Sequence, residues 1–259
     1  MTTPEFRMIR HPLAKRTLQV ARVSRISPDM QRVVLHGPEL AGFHSPAPDD
    51  HIKLFFPNSQ GHLVLPEISE QGAVWPEGLE PSPARDYTPR AFDPKALELT
   101  IDFVLHGDGP ATRWAAQARP GALLTIAGPR GSAILEGSAP NGLLLAGDET
   151  ALPAIGRWLD EAPADAQIQV FVEIPDATDR QDLKSGPGIS IQWLPRDQDR
   201  PGQPLRAAIA RHEVRTDQQV CWIACDSDTT RQIRLDLEAR GVPRAMIKAK
   251  GYWKLASDV

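Results

Sequence analysis

Gly142-Leu143-Leu144-Leu145-Ala146-Gly147-Asp148-Glu149-Thr150-Ala151-Leu152-Pro153-Ala154-Ile155 is the stretch on which the fold turns. Its first six residues form a short apolar run bounded by glycines, the pattern of a strand buried on both faces. From Ala151 to Glu161 the period changes: Leu152, Ile155, Trp158 and Leu159 fall on one face of a helix. The same alternation continues downstream. Strands are expected at 167–174, 189–194, 219–224 and 246–253, and helices at 205–212 and 229–240. The last helix follows Asp226-Ser227-Asp228, which are good capping residues. Alternating strands and helices imply a parallel sheet, and such sheets bind ligands where strands end and helices begin. Asp148-Glu149-Thr150 occupies such a place, although capping by Asp148 or Thr150 is compatible with the same residues.

Upstream of this stretch the rhythm differs. Leu97-Glu98-Leu99-Thr100-Ile101-Asp102-Phe103-Val104-Leu105 places large apolar residues at every odd position, the period of a strand with one buried face. Residues 17–26, 31–36, 51–56, 86–92 and 123–127 are further short β-prone runs separated by turn residues. One helix interrupts them, opening at Gly109-Pro110 and closing by Arg119-Pro120-Gly121. The expected fold is therefore a small antiparallel β-barrel over residues 1–136, followed by an α/β domain over 137–259. Gly137-Ser138-Ala139-Pro140 reads as the linker.

The chain has 259 residues, 41% apolar and 24% charged, with a formal net charge of -4. That composition suits a globular protein and argues against a nucleic-acid partner, which usually demands a basic excess. No run approaches the roughly 18 apolar residues of a membrane span, and the first residues lack an apolar signal core, so the expected location is the cytoplasm. Cys221 and Cys225 sit in an apolar run without other metal-ligating residues nearby and read as small buried hydrophobes.

Several blocks carry chemistry. Gly109-Pro110-Ala111-Thr112 opens a helix, where free N–H groups and the positive dipole end suit a phosphate, though an ordinary cap would look the same. Arg85-Asp86-Tyr87-Thr88-Pro89-Arg90 puts residues 85 and 87 on one face of a strand and 88 on the other unless the chain bends at Pro89. Taken alone, it is equally a strand end with a surface arginine. Ile101 to Gly107, Ala127-Gly128-Pro129-Arg130-Gly131-Ser132, Ala146 to Ile155 and Gly251-Tyr252-Trp253-Lys254 follow in order. This ordered set, over about residues 15–254, resembles the siderophore-interacting protein family, FAD-binding ferric-siderophore reductases of the ferredoxin-reductase superfamily.

The resemblance implies a flavoenzyme. A nicotinamide cofactor, NADPH or NADH, reduces FAD, and reduced FAD passes single electrons to Fe(III) in a siderophore; ferredoxin is an alternative donor. It implies that Arg85 pairs with the FAD pyrophosphate, Tyr87 lies against the isoalloxazine, and Thr88 bonds near its reactive nitrogen. Asp102, His106, Gly109, Ala111 and Thr112 complete the first part of the cofactor site, and Asp148 and Thr150 meet the flavin and nicotinamide. A basic set, Lys53, Arg130 and Lys254, would receive an anionic chelate, with Lys248 and Lys250 competing for the last place. No residue acts as acid or base or binds iron. One departure stands out: where the family has Ala-Gly-Glu, this chain has Ala224-Cys225-Asp226. Arg231 and Arg234 could meet a 2′-phosphate or form an exposed helix face. The rival readings are a general flavin or ferredoxin reductase on the same fold, and a siderophore carrier without redox chemistry.

Overall fold

The period-two stretch behaves as its pattern requires: Leu99, Ile101 and Phe103 are fully buried in one apolar cluster with Leu18, Leu35, Ile52, Leu54 and Ile126. Leu97 does not join the strand. It adopts φ 50°, a left-handed turn conformation, and the strand begins at Glu98. The computed structural model describes residues 4–69, 72–137, 142–216 and 219–254. The expected linker residues Ser138, Ala139 and Pro140 lie outside them. The chain divides into two compact units, Met8–Ala133 and Ile134–Val259, the second including the N-terminal segment to Arg7.

In chain order the first eleven strands are β1 (Glu5–Arg10), β2 (Lys15–Ser27), β3 (Met30–His36), β4 (Ile52–Phe55), β5 (Glu67–Ser69), β6 (Gly72–Val74), β7 (Ala84–Tyr87), β8 (Pro89–Asp93), β9 (Glu98–Val104), β10 (Leu123–Ala127) and β11 (Gly131–Glu136). Helix α1 (Pro110–Gln117) lies between β9 and β10. Seven strands form one antiparallel sheet in the order β7-β4-β10-β2-β3-β9-β8. Its two edge strands, β7 and β8, are successive in the chain and separated only by Thr88. One run of chain thus serves both edges, which curls the sheet toward closure and limits exposed edge. The run expected as a single strand over 86–92 is broken at this point, because Pro89 cannot continue the ladder through its missing N–H.

The second unit is built on β12 (Gly142–Asp148), β13 (Ile168–Ile174), β14 (Ile189–Pro195), β15 (Gln219–Asp226) and β16 (Ile247–Trp253), with α2 (Leu152–Glu161), α3 (Gln203–Arg211) and α4 (Ser227–Ala239). The order β14-β13-β12-β15-β16 is parallel throughout, and the winding reverses at β12. Every residue of β12 and of β15 is buried, as the continuous apolar runs anticipate. Gly147 allows this packing: a Cβ there would lie 2.4 Å from both the Ala151 Cβ and the Ala224 carbonyl oxygen. Cys221 and Cys225 are buried free thiols, and burial pushes the Cys221 thiol up to about 12. Among the described residues no helix is long and apolar enough to cross a membrane.

Candidate functional site

In the first unit the candidate cofactor residues gather at the seam between β7 and β8. Arg85 and Tyr87 pair with Leu54 and Ile52 and share their face of the sheet. The Tyr87 ring packs on Phe103 at 4.5 Å between centroids, and Phe103 meets Trp114 of α1 at 5.6 Å. One buried phenylalanine therefore joins the Arg85–Thr88 block to the helix that follows Gly109. Burial raises the Tyr87 hydroxyl to about 12, against the opposing charge of Arg85, so it stays neutral.

The polar groups at this seam are open. Arg85 donates to the Ala84 carbonyl (2.9 Å) and has no carboxylate partner among the described residues. Thr88 is buried, yet its hydroxyl makes no hydrogen bond among them. Helix α1 begins after Gly109 with no side-chain cap and no acid in its first turn, leaving the N–H groups of Ala111 and Thr112 without acceptors among the described residues. A pyrophosphate needs these features: a free guanidinium fork and uncapped amides. The residues fit FAD on that ground.

Other residues of the set serve the frame. Asp102 is buried and receives Arg32 at both oxygens (2.7 and 2.8 Å), so it reaches any ligand only through Arg32, a residue that the sequence pattern did not single out. The Thr112 hydroxyl donates to the His106 carbonyl (3.0 Å) and pins the loop before α1, while the His106 side chain is exposed.

The opposite face of the same edge is cationic. Lys53 lies between Asp86, to which it donates (2.8 Å), and Ala127, its partner on β10. Lys15 pairs with the other side of Ala127. Arg130 follows three residues later, exposed and without an ion pair among the described residues. Sequence distance hid Lys15; only the β2–β10 register places it in this row. Because β7 is an edge strand, the Arg85 face and the Lys53 face meet around it.

In the second unit the candidates sit at the C-terminal ends of the strands, in a cluster of acids. Asp148 is buried; its Oδ1 accepts from the Thr150 N–H (3.0 Å) and from the Thr150 hydroxyl (2.5 Å), and its Oδ2 accepts from the Trp253 indole N–H (2.7 Å). Burial and then the neighbouring Glu149 charge push its carboxyl up to about 7, against these hydrogen bonds and Arg196. Arg196 joins Glu149 with two hydrogen bonds and Glu173 with one (3.2 Å). Burial opposes its charge, but the Glu149 hydrogen bonds and the surrounding carboxylates hold its pKa raised. Glu173 accepts from the N–H groups of Gly202 and Leu205 at the start of α3, and Asp226 from those of Asp228 and Thr229 at the start of α4.

Lys254 follows β16 and is exposed; Lys248 and Lys250 stand over the rings of Phe6 and Tyr252, at 5.1 and 5.7 Å. Arg231 is exposed on α4, whereas Arg234 is paired with Glu238 at 2.8 Å. A cavity of about 520 Å³ opens at the other end of the sheet, beside Leu143, Gln169, Ser190 and His212, and contains none of these candidates.

Comparison with known proteins agrees with this geometry. Residues 19–133 match the siderophore-interacting FAD-binding domain, and residues 140–256 match the siderophore-interacting protein family. The NADPH-dependent ferric-chelate reductase of Escherichia coli K12 is 38% identical over 97% of this chain and 98% of its own length. The ferric vibriobactin reductase ViuB of Vibrio cholerae is 35% identical over 92% of this chain and 89% of its own. A siderophore utilization protein from T. fusca superposes with a TM-score of 0.89 at 38% identity, covering 98% of both chains.

Proposed function

The chain belongs to the siderophore-interacting protein family, and on that premise we propose that it is an NADPH-dependent ferric-siderophore reductase carrying FAD. The observation that carries this reading is the seam at Arg85–Thr88. A cationic fork, a buried hydroxyl and an uncapped helix start are left open beside one aromatic cluster. Bound FAD would supply two-electron chemistry toward the nicotinamide and one-electron chemistry toward ferric iron.

The residues bind and orient. Arg85 neutralises the pyrophosphate, and the first-turn amides of α1, from Ala111 and Thr112 after Gly109, receive its oxygens. Tyr87 presents a neutral ring to the flavin, and Thr88 offers its free hydroxyl. Asp102 fixes Arg32, and His106 with Thr112 shapes the approach to α1. Asp148 and Thr150, whose mutual hydrogen bond sets the side chain of each, would contact the cofactor from the turn after β12. Lys53, Arg130 and Lys254 each supply a cationic contact to an anionic chelate. Fe(III) is substrate and needs no protein ligand, since hard oxygen donors of the siderophore hold it until reduction weakens their grip. The reaction takes place in the cytoplasm, and ferredoxin is the alternative electron source.

An absorbance spectrum of the purified protein tests this reading. A flavin spectrum, bleached by NADPH and restored under anaerobic conditions by a ferric siderophore, is the expected result. Bleaching by reduced ferredoxin alone would move the donor assignment. A flavin restored by quinones but not by ferric chelates would identify a general reductase, and a colourless protein that binds the chelate would identify a carrier.

A further inference from the structure

On the face of the first unit's sheet turned away from its core cluster, an exposed tryptophan covers a buried phenylalanine, and neither takes part in the reaction above. Ile52, Leu54 and Phe56 point into the core cluster, so Lys53 and Phe55 point to the other side of β4. The strand registers set two rows across this face. One is Lys15–Ala127–Lys53–Asp86, and the next is Thr17–Thr125–Phe55–Ala84. The hydroxyls of Thr17 and Thr125 meet at 3.0 Å, which confirms that the second row shares one face.

The β5–β6 hairpin is fastened to both rows at its base. Glu67 pairs with Val74, so Pro66 and Trp75 flank the last rung. The Lys15 ammonium donates to the Pro66 carbonyl (2.9 Å), and Trp75 packs edge-on against Phe55 at 6.5 Å between centroids. Trp75 nevertheless stays 37% exposed, and its indole N–H has no hydrogen-bond partner among the described residues. It stands over Phe55, two residues along β4 from Lys53, a separation of about 6.6 Å. An exposed indole beside two ammonium groups, with Arg130 beyond Ala127, is a surface for a ligand both anionic and aromatic.

We propose that Trp75 and Lys15 belong to the substrate site, and that Trp75 makes this protein favour ferric chelates whose ligand arms carry aromatic rings over aliphatic chelates of equal charge. The inference rests on the ferric-siderophore reading above. The row of cations and the indole N–H attract any polyanion, whereas the indole face adds contact only to a ligand with rings, such as a catecholate. Lys15 contributes charge and also holds the hairpin that carries Trp75.

Redox-inert gallium(III) complexes separate binding from reaction. Gallium tris(catecholate) and gallium tris(oxalate) are both trianions with six oxygen donors, and only the first has rings. Each is titrated calorimetrically into the FAD-loaded protein. Trp75→Ala is expected to weaken the catecholate complex roughly three- to ten-fold and the oxalate complex less than about two-fold. Trp75→Phe retains most of the preference, and Trp75→Leu, which still covers Phe55, loses it. Lys15→Gln keeps a donor for Pro66 and weakens both complexes alike, by roughly two- to five-fold. Flavin content and reduction by NADPH remain at wild-type levels in all four variants. Equal losses for both complexes in Trp75→Leu, or no loss, would overturn the assignment. Failure of the wild type to bind either gallium complex would overturn it too. If that protein still reduces ferric chelates with NADPH, only this inference falls; if it reduces none, the reductase reading falls with it.

Discussion

The seam of the barrel and the C-terminal edge of the parallel sheet treat polar groups in opposite ways. At the seam, Arg85, the Thr88 hydroxyl and the first turn of α1 have no charged partner among the described residues. At the sheet edge the protein's own carboxylates hold these groups: Asp148 caps the single turn Glu149–Ala151 that precedes α2, Glu173 accepts at the start of α3 and Asp226 at the start of α4. A helix start is the usual seat for a nucleotide phosphate in such folds, and an internal acid fills that seat and repels a second anion. On the proposed reading the barrel unit keeps open the groups that would hold the FAD phosphates, whereas the α/β unit closes the starts of α3 and α4 with its own carboxylates. Asp226 is short enough to reach back and cap α4.

The comparison breaks most visibly at Arg196. Arg196→Met leaves Glu149 and Glu173 buried without their cation and is expected to destabilise the fold by about 3–5 kcal/mol. Equilibrium urea denaturation measures this, and a loss below about 1 kcal/mol would show the edge to be better solvated than its burial indicates. Adding Glu149→Gln to the same variant should recover part of the loss.

Asp148 sharpens the contrast through pH, with a smaller effect because Thr150 and Trp253 still satisfy the ionised form. Its carboxyl is raised from an ordinary 3.8 to about 7, so folding favours the protonated group. The stability this confers is complete below about pH 4 and is lost as pH rises through 7. Asp148→Asn should therefore gain on the wild type across that interval and run parallel to it above. Denaturation curves between pH 4 and 8 check the sign; parallel curves throughout would place Asp148 among ordinary carboxylates.

The smallest effect on the fold is expected at the seam. Arg85→Ala removes a side chain that has no charged partner among the described residues, so the apoprotein should change by less than about 0.5 kcal/mol. Its affinity for FAD should fall by about 10- to 150-fold, the equivalent of roughly 1.5–3 kcal/mol. Flavin retained on gel filtration, set beside the melting curve of the apoprotein, separates the two readouts. Unchanged retention would remove Arg85 from the cofactor site.

Much of this was legible in the chain itself. The period-two pattern at Leu99, Ile101 and Phe103 and the continuous apolar runs of β12 and β15 determined which faces are buried, because alternation and burial follow directly from backbone geometry. Ordered short motifs identified the family and most candidate residues. The β5–β6 hairpin was not foreseen, since its strands are three residues each and lack a clear period. A bend at Pro89 was one of the sequence's alternatives, but the pairing of the two halves of that run at opposite edges of one sheet was not, because edge pairing is set by distant strands.

By itself, then, the sequence determined an antiparallel region followed by alternating strands and helices, and the residue types available for a flavin and an anionic chelate. Those properties depend on near neighbours along the chain. Tertiary structure alone decided that Asp102 belongs to Arg32, that Arg196 serves Glu149 and Glu173, and that Lys15 stands in one row with Lys53. Each of these partnerships joins segments at least 23 residues apart, and no local pattern encodes which distant register or loop will bring a particular charge to its counterpart.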